Sequence, residues 1–165
     1  IARIRSTGAV IRTQAPLVRH VNDSARTWAR MWREQVRLGA VPYYMFVERN
    51  TGPKGYFQVP LADAHGIFRR AFRDVSGLCR TVRGPSMSTT PGKVVVLGTQ
   101  TIGRDEVFVL SFLRARKRDW VGRPFFAKFD PDAHWLDDLK PAFGEKRFFF
   151  QQDDEIDSRS VVAWE

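Results

Sequence analysis

The sequence predicts an α/β fold in which strand–helix–strand units, up to about residue 103, are followed by a β-rich C-terminal segment. Two observations carry this. The first is Val41–Val47, VPYYMFV, an uncharged run rich in Tyr, Phe and Val that reads as a buried strand. An amphipathic helical pattern precedes it, and Gly52, Pro53 and Gly55 follow it. Strand, helix and strand in that order make one βα repeat of a parallel sheet. The second is a change of texture at Lys93, after which short apolar runs are separated by turns, the pattern of antiparallel strands.

Taken in order, the opening IARIRSTG reads as the tail of a helix, and a first strand runs from Ala9 to Gln14 or a little beyond. Asp23 or Ser24 can accept from the free N–H groups of the next helix, about Ala25 to Leu38. Trp28, Met31, Trp32 and Val36 lie on one side of that helix, with Arg26, Arg30, Arg33 and Arg37 largely opposite. Gly39 closes it. Pro42 stands at the start of its strand, where a missing N–H is tolerated. Pro60 opens a second helix with the stripe Ile67, Phe68, Ala71, Phe72 and Val75, and Ser76-Gly77 ends it. Leu78–Val82 is expected as a short strand running into a loop, Arg83–Gly92. Lys93–Leu97, Gln100–Ile102 and Val107–Phe112 are expected as strands, with turns at Gly98 and at Gly103–Asp105. Pro124–Phe129 follows as a strand, Asp132–Leu139 as a short helix and Arg147–Phe150 as a last apolar run. The divisions implied are 1–103, 104–150 and an acidic tail, 151–165.

A chain of 165 residues with 43% hydrophobic content can bury a core of its own as one ordinary domain. No stretch is long and apolar enough for a membrane helix, and the start lacks the apolar core of a secretory signal. The chain begins at Ile1, and the expectation is that it is the C-terminal part of a longer protein. The single cysteine, Cys79, excludes an internal disulfide and any all-cysteine metal site built within this chain. Leu78 beside it favours a buried thiol in a reducing compartment, so the expected location is cytoplasmic. The net charge of +9 raises nucleic acid as a partner, but the basic residues are scattered apart from Arg114, Arg116, Lys117 and Arg118. A solvated surface is the reading for most of them.

Candidate functional residues are few. The strand Val41–Val47 ends in Glu48-Arg49-Asn50, which places polar groups at its C-terminal end, where α/β sheets and barrels bind ligands. His20, His65 and His134 lie on separate elements without metal-ligand spacing. Asp137 and Asp138 are adjacent and, on a helix, point apart. Trp120, Phe125, Phe126, Phe129 and Trp135 interleave with basic residues, a texture that can stack on bases but that more often fills a β-rich core or a subunit interface.

Several stretches taken together resemble the C-terminal part of the lysine 2,3-aminomutase (KamA-like) family of radical S-adenosylmethionine enzymes. They are Gln14–Ser24 (QAPLVRHVNDS), Val41–Tyr44 (VPYY), Phe57–Pro60 (FQVP), Val75–Gly77 (VSG) and Ser88–Val94 (STTPGKV). Each alone is weak, and their order and spacing across residues 1–103 are specific. The resemblance implies part of a (β/α) barrel and, in the whole protein, an isomerase with S-adenosylmethionine and a 4Fe-4S cluster. It acts on an amino acid or a related small metabolite. The CxxxCxxC motif that holds the family's cluster is not in this chain, so the fragment alone is expected to be inactive.

Residue by residue, the resemblance puts Gln14 beside bound S-adenosylmethionine, unless it is a surface or capping glutamine. Asn22 and Asp23 match a family turn, but capping explains them without a ligand. Arg49 falls where the aminomutases carry an aspartate for the substrate's side-chain ammonium. A guanidinium cannot take that role and suits a carboxylate or phosphate, or else pairs with Glu48 or a nearby loop. The segment Arg83–Thr90, where the family's cofactor lysine would be expected, has no lysine, and Lys93 matches a later turn. Pyridoxal phosphate is therefore not expected. Ser86 and Ser88 could line a pocket or hold a phosphate, or simply make a hydroxyl-rich turn. A homo-oligomer fits the same reading, and neither a membrane nor nucleic acid is expected as a partner. The alternative is a non-catalytic module whose basic, aromatic C-terminal segment holds nucleic acid or a partner protein.

Overall fold

The computed structural model describes residues 1–49, 53 and 55–151. Part of the expected loop after Arg49, including Gly52, and the acidic tail beyond Gln151 lie outside the described residues. The chain forms a six-stranded sheet whose spatial order follows the sequence, β1 to β6. Strands β1 (Arg12–Leu17), β2 (Val41–Val47) and β3 (Arg83–Ser88) run parallel. Strands β4 (Gly92–Ile102), β5 (Asp105–Ala115) and β6 (Pro124–Lys128) continue the sheet antiparallel. A short helix α1 (Ala2–Arg5) opens the chain, α2 (Ala25–Arg37) connects β1 to β2, and α3 (Leu61–Arg73) connects β2 to β3. The outcome is an α/β fold with a mixed sheet, and the change of texture at Lys93 marks where parallel pairing gives way to antiparallel.

The helices form where local chemistry directs them. Ser24 caps α2 by accepting from the backbone N–H of Thr27 at 3.2 Å, and Trp28 and Trp32 bury its inner face. Arg80 ends α3 by donating to three carbonyls: those of Phe72 and Val75 at 3.0 Å and that of Arg73 at 3.2 Å. One core cluster packs both helices on β1 and β2 through Leu17, Trp28, Trp32, Met45, Ile67 and Ala71. A second, on the same face, joins Val47, Leu61, Met87, Val94, Phe112 and Trp120 to Phe125, Phe148 and Phe150 of the C-terminal segment.

Among the described residues, no helix packs on the opposite face of the sheet. The register puts Gln14 beside Tyr44, Phe46 beside Ser86, Ser86 beside Val95 and Ser88 beside Lys93, so these residues share that open face.

Five sequence expectations need correction. Leu78–Val82 is not a strand: Gly77–Cys79 is a single 3-10 turn, with Cys79 buried and Leu78 77% exposed. Arg83–Ser88 is not a loop but β3 itself. Gly84 and Pro85, which look like turn residues, lie within it because its backbone crosses close to Met45, and a Cβ on Gly84 would meet the Met45 carbonyl oxygen at 2.5 Å. Gly98 is not a turn; β4 runs straight through it with a register shift, beside the ring of His65. Within Asp132–Leu139 only Leu136–Asp138 is helical, as one 3-10 turn. The first strand also lies later than expected, at Arg12–Leu17, with Pro16 tolerated on the edge of the sheet.

Candidate functional site

Arg49 follows β2 directly and lines a cavity of about 570 Å³ at the C-terminal ends of β2 and β3. Gln58 forms one wall, and Thr89 and Thr90 of the β3–β4 turn another. The third wall comes from the C-terminal segment through Asp132, His134, Trp135, Asp137 and Asp138. That segment is held by its own backbone. Leu61 N–H donates to the Ala133 carbonyl at 2.8 Å, and one carboxylate oxygen of Asp138 accepts from the N–H groups of His134 and Trp135, each at 2.9 Å. Asp138 therefore folds the wall, while the exposed Asp132 and Asp137 add carboxylates to the cavity that Arg49 also lines.

A second cavity, of about 420 Å³, links this region to the open face through Pro16, Phe46, Glu48, Arg49, Ser88 and Trp135. On that face Tyr44 and Phe46 stack at 5.4 Å between ring centres. The Lys93 ammonium lies 4.0 Å from the Tyr44 ring centre and 4.6 Å from that of Phe46. Burial, followed by the Arg114 charge, lowers the Lys93 pKa below the ordinary lysine value, and the neighbouring Tyr43 phenol opposes this. Tyr43 is itself more acidic than an ordinary tyrosine, first because of its hydrogen bond with Tyr44 and then through Arg83 and Arg12. Burial makes Tyr44 less acidic.

The structure brings Arg49 and Ser88 to one cavity. Gln14 shares the open face as an exposed side chain in register with Tyr44, one strand away from Ser86. Ser86 is fully buried, its hydroxyl donating to the Met45 carbonyl at 3.3 Å. Asn22 and Asp23 serve the backbone: the Asn22 side chain accepts from Val18 N–H at 2.7 Å and donates to the Pro16 carbonyl at 2.9 Å, and Asp23 accepts from His20 N–H at 3.0 Å. Sequence reasoning missed that Gln58, Asp132, His134 and Trp135 line one cavity with Arg49, because the meeting of distant segments leaves no periodic signal. It also missed Lys93, whose place on the open face follows only once Ser88 is known to lie in a strand.

The residues present do not fit an iron–sulfur cluster. Cys79 is the chain's one cysteine, buried with its sulfur 3.9 Å from the Ser76 hydroxyl. Among the described residues no group of three or more His, Cys, Asp or Glu side chains could hold a metal ion. No helix among them is long and apolar enough to cross a membrane.

No protein-family model matches the chain. Curated proteins do. A protein of Aquifex aeolicus named "Putative L-lysine 2,3-aminomutase" is 30% identical over 142 residues, which is 86% of this chain and 37% of that protein. The L-lysine 2,3-aminomutase of Escherichia coli is 31% identical over 94 residues, 54% of this chain and 28% of that protein. A second protein carrying the "Putative" name, from Treponema pallidum, is 34% identical over 71 residues, 43% of this chain and 20% of that protein. The chain thus spans well under half the length of the curated relatives it matches. The Aquifex match extends over most of this chain, and the three matches together support its likeness to the C-terminal part of lysine 2,3-aminomutase-like proteins.

Proposed function

We propose that this chain is the substrate-facing C-terminal part of a radical S-adenosylmethionine isomerase acting on a small metabolite that carries a carboxylate or phosphate. The observation that carries the reading is Arg49, on the rim shared by two cavities at the C-terminal end of a parallel strand. Ligands of α/β sheets bind at that end. A guanidinium there offers paired N–H donors to an oxyanion. Parallel pairing of β1, β2 and β3, with helices on one face only, is what part of a (β/α) barrel would present. A cluster, held by residues outside this chain, would supply the reducing electron for bound S-adenosylmethionine. Gln14 would face the latter from the open side of β1. If pyridoxal phosphate is also used, Lys93 is the amine of this region that could hold it, and no step is assigned to it.

The test uses the natural full-length protein, reconstituted with iron and sulfide without oxygen. Formation of 5′-deoxyadenosine that depends on an anionic metabolite supports the proposal, with Arg49→Gln raising KM about tenfold or more, the cost of one charged hydrogen-bonded contact. A full-length protein without an upstream CxxxCxxC motif overturns it. The alternative of a nucleic-acid module draws little support from the aromatic set, since Trp120 and Phe125 are buried in the core. Salt-dependent oligonucleotide binding lost on neutralising Arg114, Arg116, Lys117 and Arg118 would revive it.

A further inference from the structure

Strand β4 has a neighbour along its whole length on one side only. It pairs with β5 from Gly92–Ala115 to Ile102–Asp105, but with β3 only at Lys93, Val94 and Val95. Beyond the register shift between Val96 and Gly98 its other edge runs on with no strand beside it among the described residues. His65 of α3 reaches the Leu97 backbone, and past that point Thr99, Gln100, Thr101 and Ile102 are exposed. Alternation within an antiparallel ladder decides which backbone groups face outward. Gly103 and Arg104 make a two-residue turn, so Ile102 bonds to Asp105, Gln100 to Val107 and Gly98 to Val109. The N–H and C=O groups of Thr99 and Thr101 are left pointing to the open side.

An open edge is a template for another strand, and chains ordinarily blunt it with charge, proline or a covering segment. The outer strands of this sheet are blunted. Strand β1 carries Arg12 and Pro16. The β6 edge is covered by residues 140–142, with Lys128 N–H donating to the Lys140 carbonyl at 2.8 Å and Ala142 N–H to the Phe126 carbonyl at 3.2 Å. Residues 97–102, LGTQTI, have neither charge nor proline, and Leu97 and Ile102 are 53% and 40% exposed. The edge is also self-complementary. With two copies antiparallel about Gln100, Thr99 of each faces Thr101 of the other, and every outward N–H and C=O of both threonines finds a partner. Gly98, which has no side chain, then faces Ile102. The hairpin tip, where Asp105 and Glu106 outnumber Arg104, is carried towards the partner's His65 and the partner's Arg69, the groups beside Leu97.

We propose that residues 98–102 form a homodimer surface, in which the open edge of β4 pairs antiparallel with the same edge of a second copy about a two-fold axis at Gln100, joining two sheets into one.

Sedimentation equilibrium and hydrogen exchange on the natural full-length protein test this. A mass of at least two copies is expected. Thr101→Pro removes an outward N–H and spares the bonds to β5, so it should weaken self-association about tenfold or more, with the circular dichroism unchanged. Thr99→Lys with Thr101→Lys keeps every backbone N–H and blunts the edge by charge, and it should act alike. If the proline variant does not fold, this pair decides. Leu78→Lys, a new charge on an exposed residue away from the edge, should leave self-association as it was. The amides of Thr99 and Thr101 should exchange more slowly as protein concentration rises, while those of Gly98 and Gln100, bonded to β5, stay protected throughout. A protein that is monomeric at every concentration overturns the proposal, whether those two threonine amides exchange freely or are protected by another segment of the same chain. Self-association that the edge variants leave intact, or that Leu78→Lys weakens equally, overturns it as well and puts the interface elsewhere.

Discussion

Gly84 shows how one side chain less decides a strand. Its φ is +155°, and a Cβ there would lie 2.5 Å from the Met45 carbonyl oxygen and 2.9 Å from the Met45 Cβ. The close approach lets β3 pair parallel to β2. Gly84→Ala should cost about 1–3 kcal/mol, the range for forced overpacking, read as a lowered urea midpoint at unchanged slope. A midpoint within error of wild type would mean that β3 can shift at no cost. His65 makes a different single-residue case. It is half-buried on α3 with a hydrogen bond to the Leu97 backbone, and burial, followed by the Arg69 charge, lowers its pKa below 6.5. The unfolded chain therefore takes up the proton first as pH falls. His65 leaves stability at its full value above about pH 6.5, the ordinary histidine pKa, and lowers it as acidification proceeds towards the folded pKa. His65→Gln should flatten that part of the melting temperature against pH; an unchanged acid slope in the variant would assign the loss to other groups.

Elements differ in how far their own residues announce them. Helix α2 and strand β2 were legible, because Trp28 and Trp32 recur at helical spacing behind a Ser24 cap and VPYYMFV lacks any charge. Strand β3 was not. Gly84, Pro85 and two serines are poor strand formers, and what holds them extended is pairing with β2 on one side and β4 on the other. The same error hid the site: with β3 read as a loop, nothing placed Ser88 and Lys93 on one face or brought the β3–β4 turn against Arg49. The end of α3 was half legible. Ser76-Gly77 suggested a stop, but the helix closes earlier, where Arg80 gathers the carbonyls of Phe72, Arg73 and Val75. Arg80→Met keeps a hydrophobic stem near the Phe72 ring and removes the donors. It should cost about 1–2 kcal/mol and speed amide exchange in the last turn of α3 ahead of its first. Uniform exchange along α3 in the variant would show that packing, not the cap, ends the helix.

At the scale of the molecule, the family motifs fade near Gly103, at the β4–β5 turn, but the packing does not. Val47 and Leu61, from the parallel half, sit in one cluster with Phe112, Trp120 and Phe150 from the antiparallel half. Leu61 is also tied to the C-terminal segment by its backbone bond to Ala133, and that segment supplies Asp132, His134 and Asp137 to the Arg49 cavity. The antiparallel half is thus a wall of the site and a support of the parallel half at once. Phe112 tests this, since its ring touches those of Trp120, Phe125, Phe149 and Phe150. In the full-length protein Phe112→Ala should cost about 3–5 kcal/mol. If the halves are one cooperative unit, hydrogen exchange should quicken in α2 and in β5 by the same factor, because both then exchange through the same global opening. If β5 and β6 lose protection while Trp28 to Arg33 of α2 keep theirs, the boundary at Gly103 separates two independently stable units. The 570 Å³ cavity would then lie between them and could open without unfolding the parallel strands.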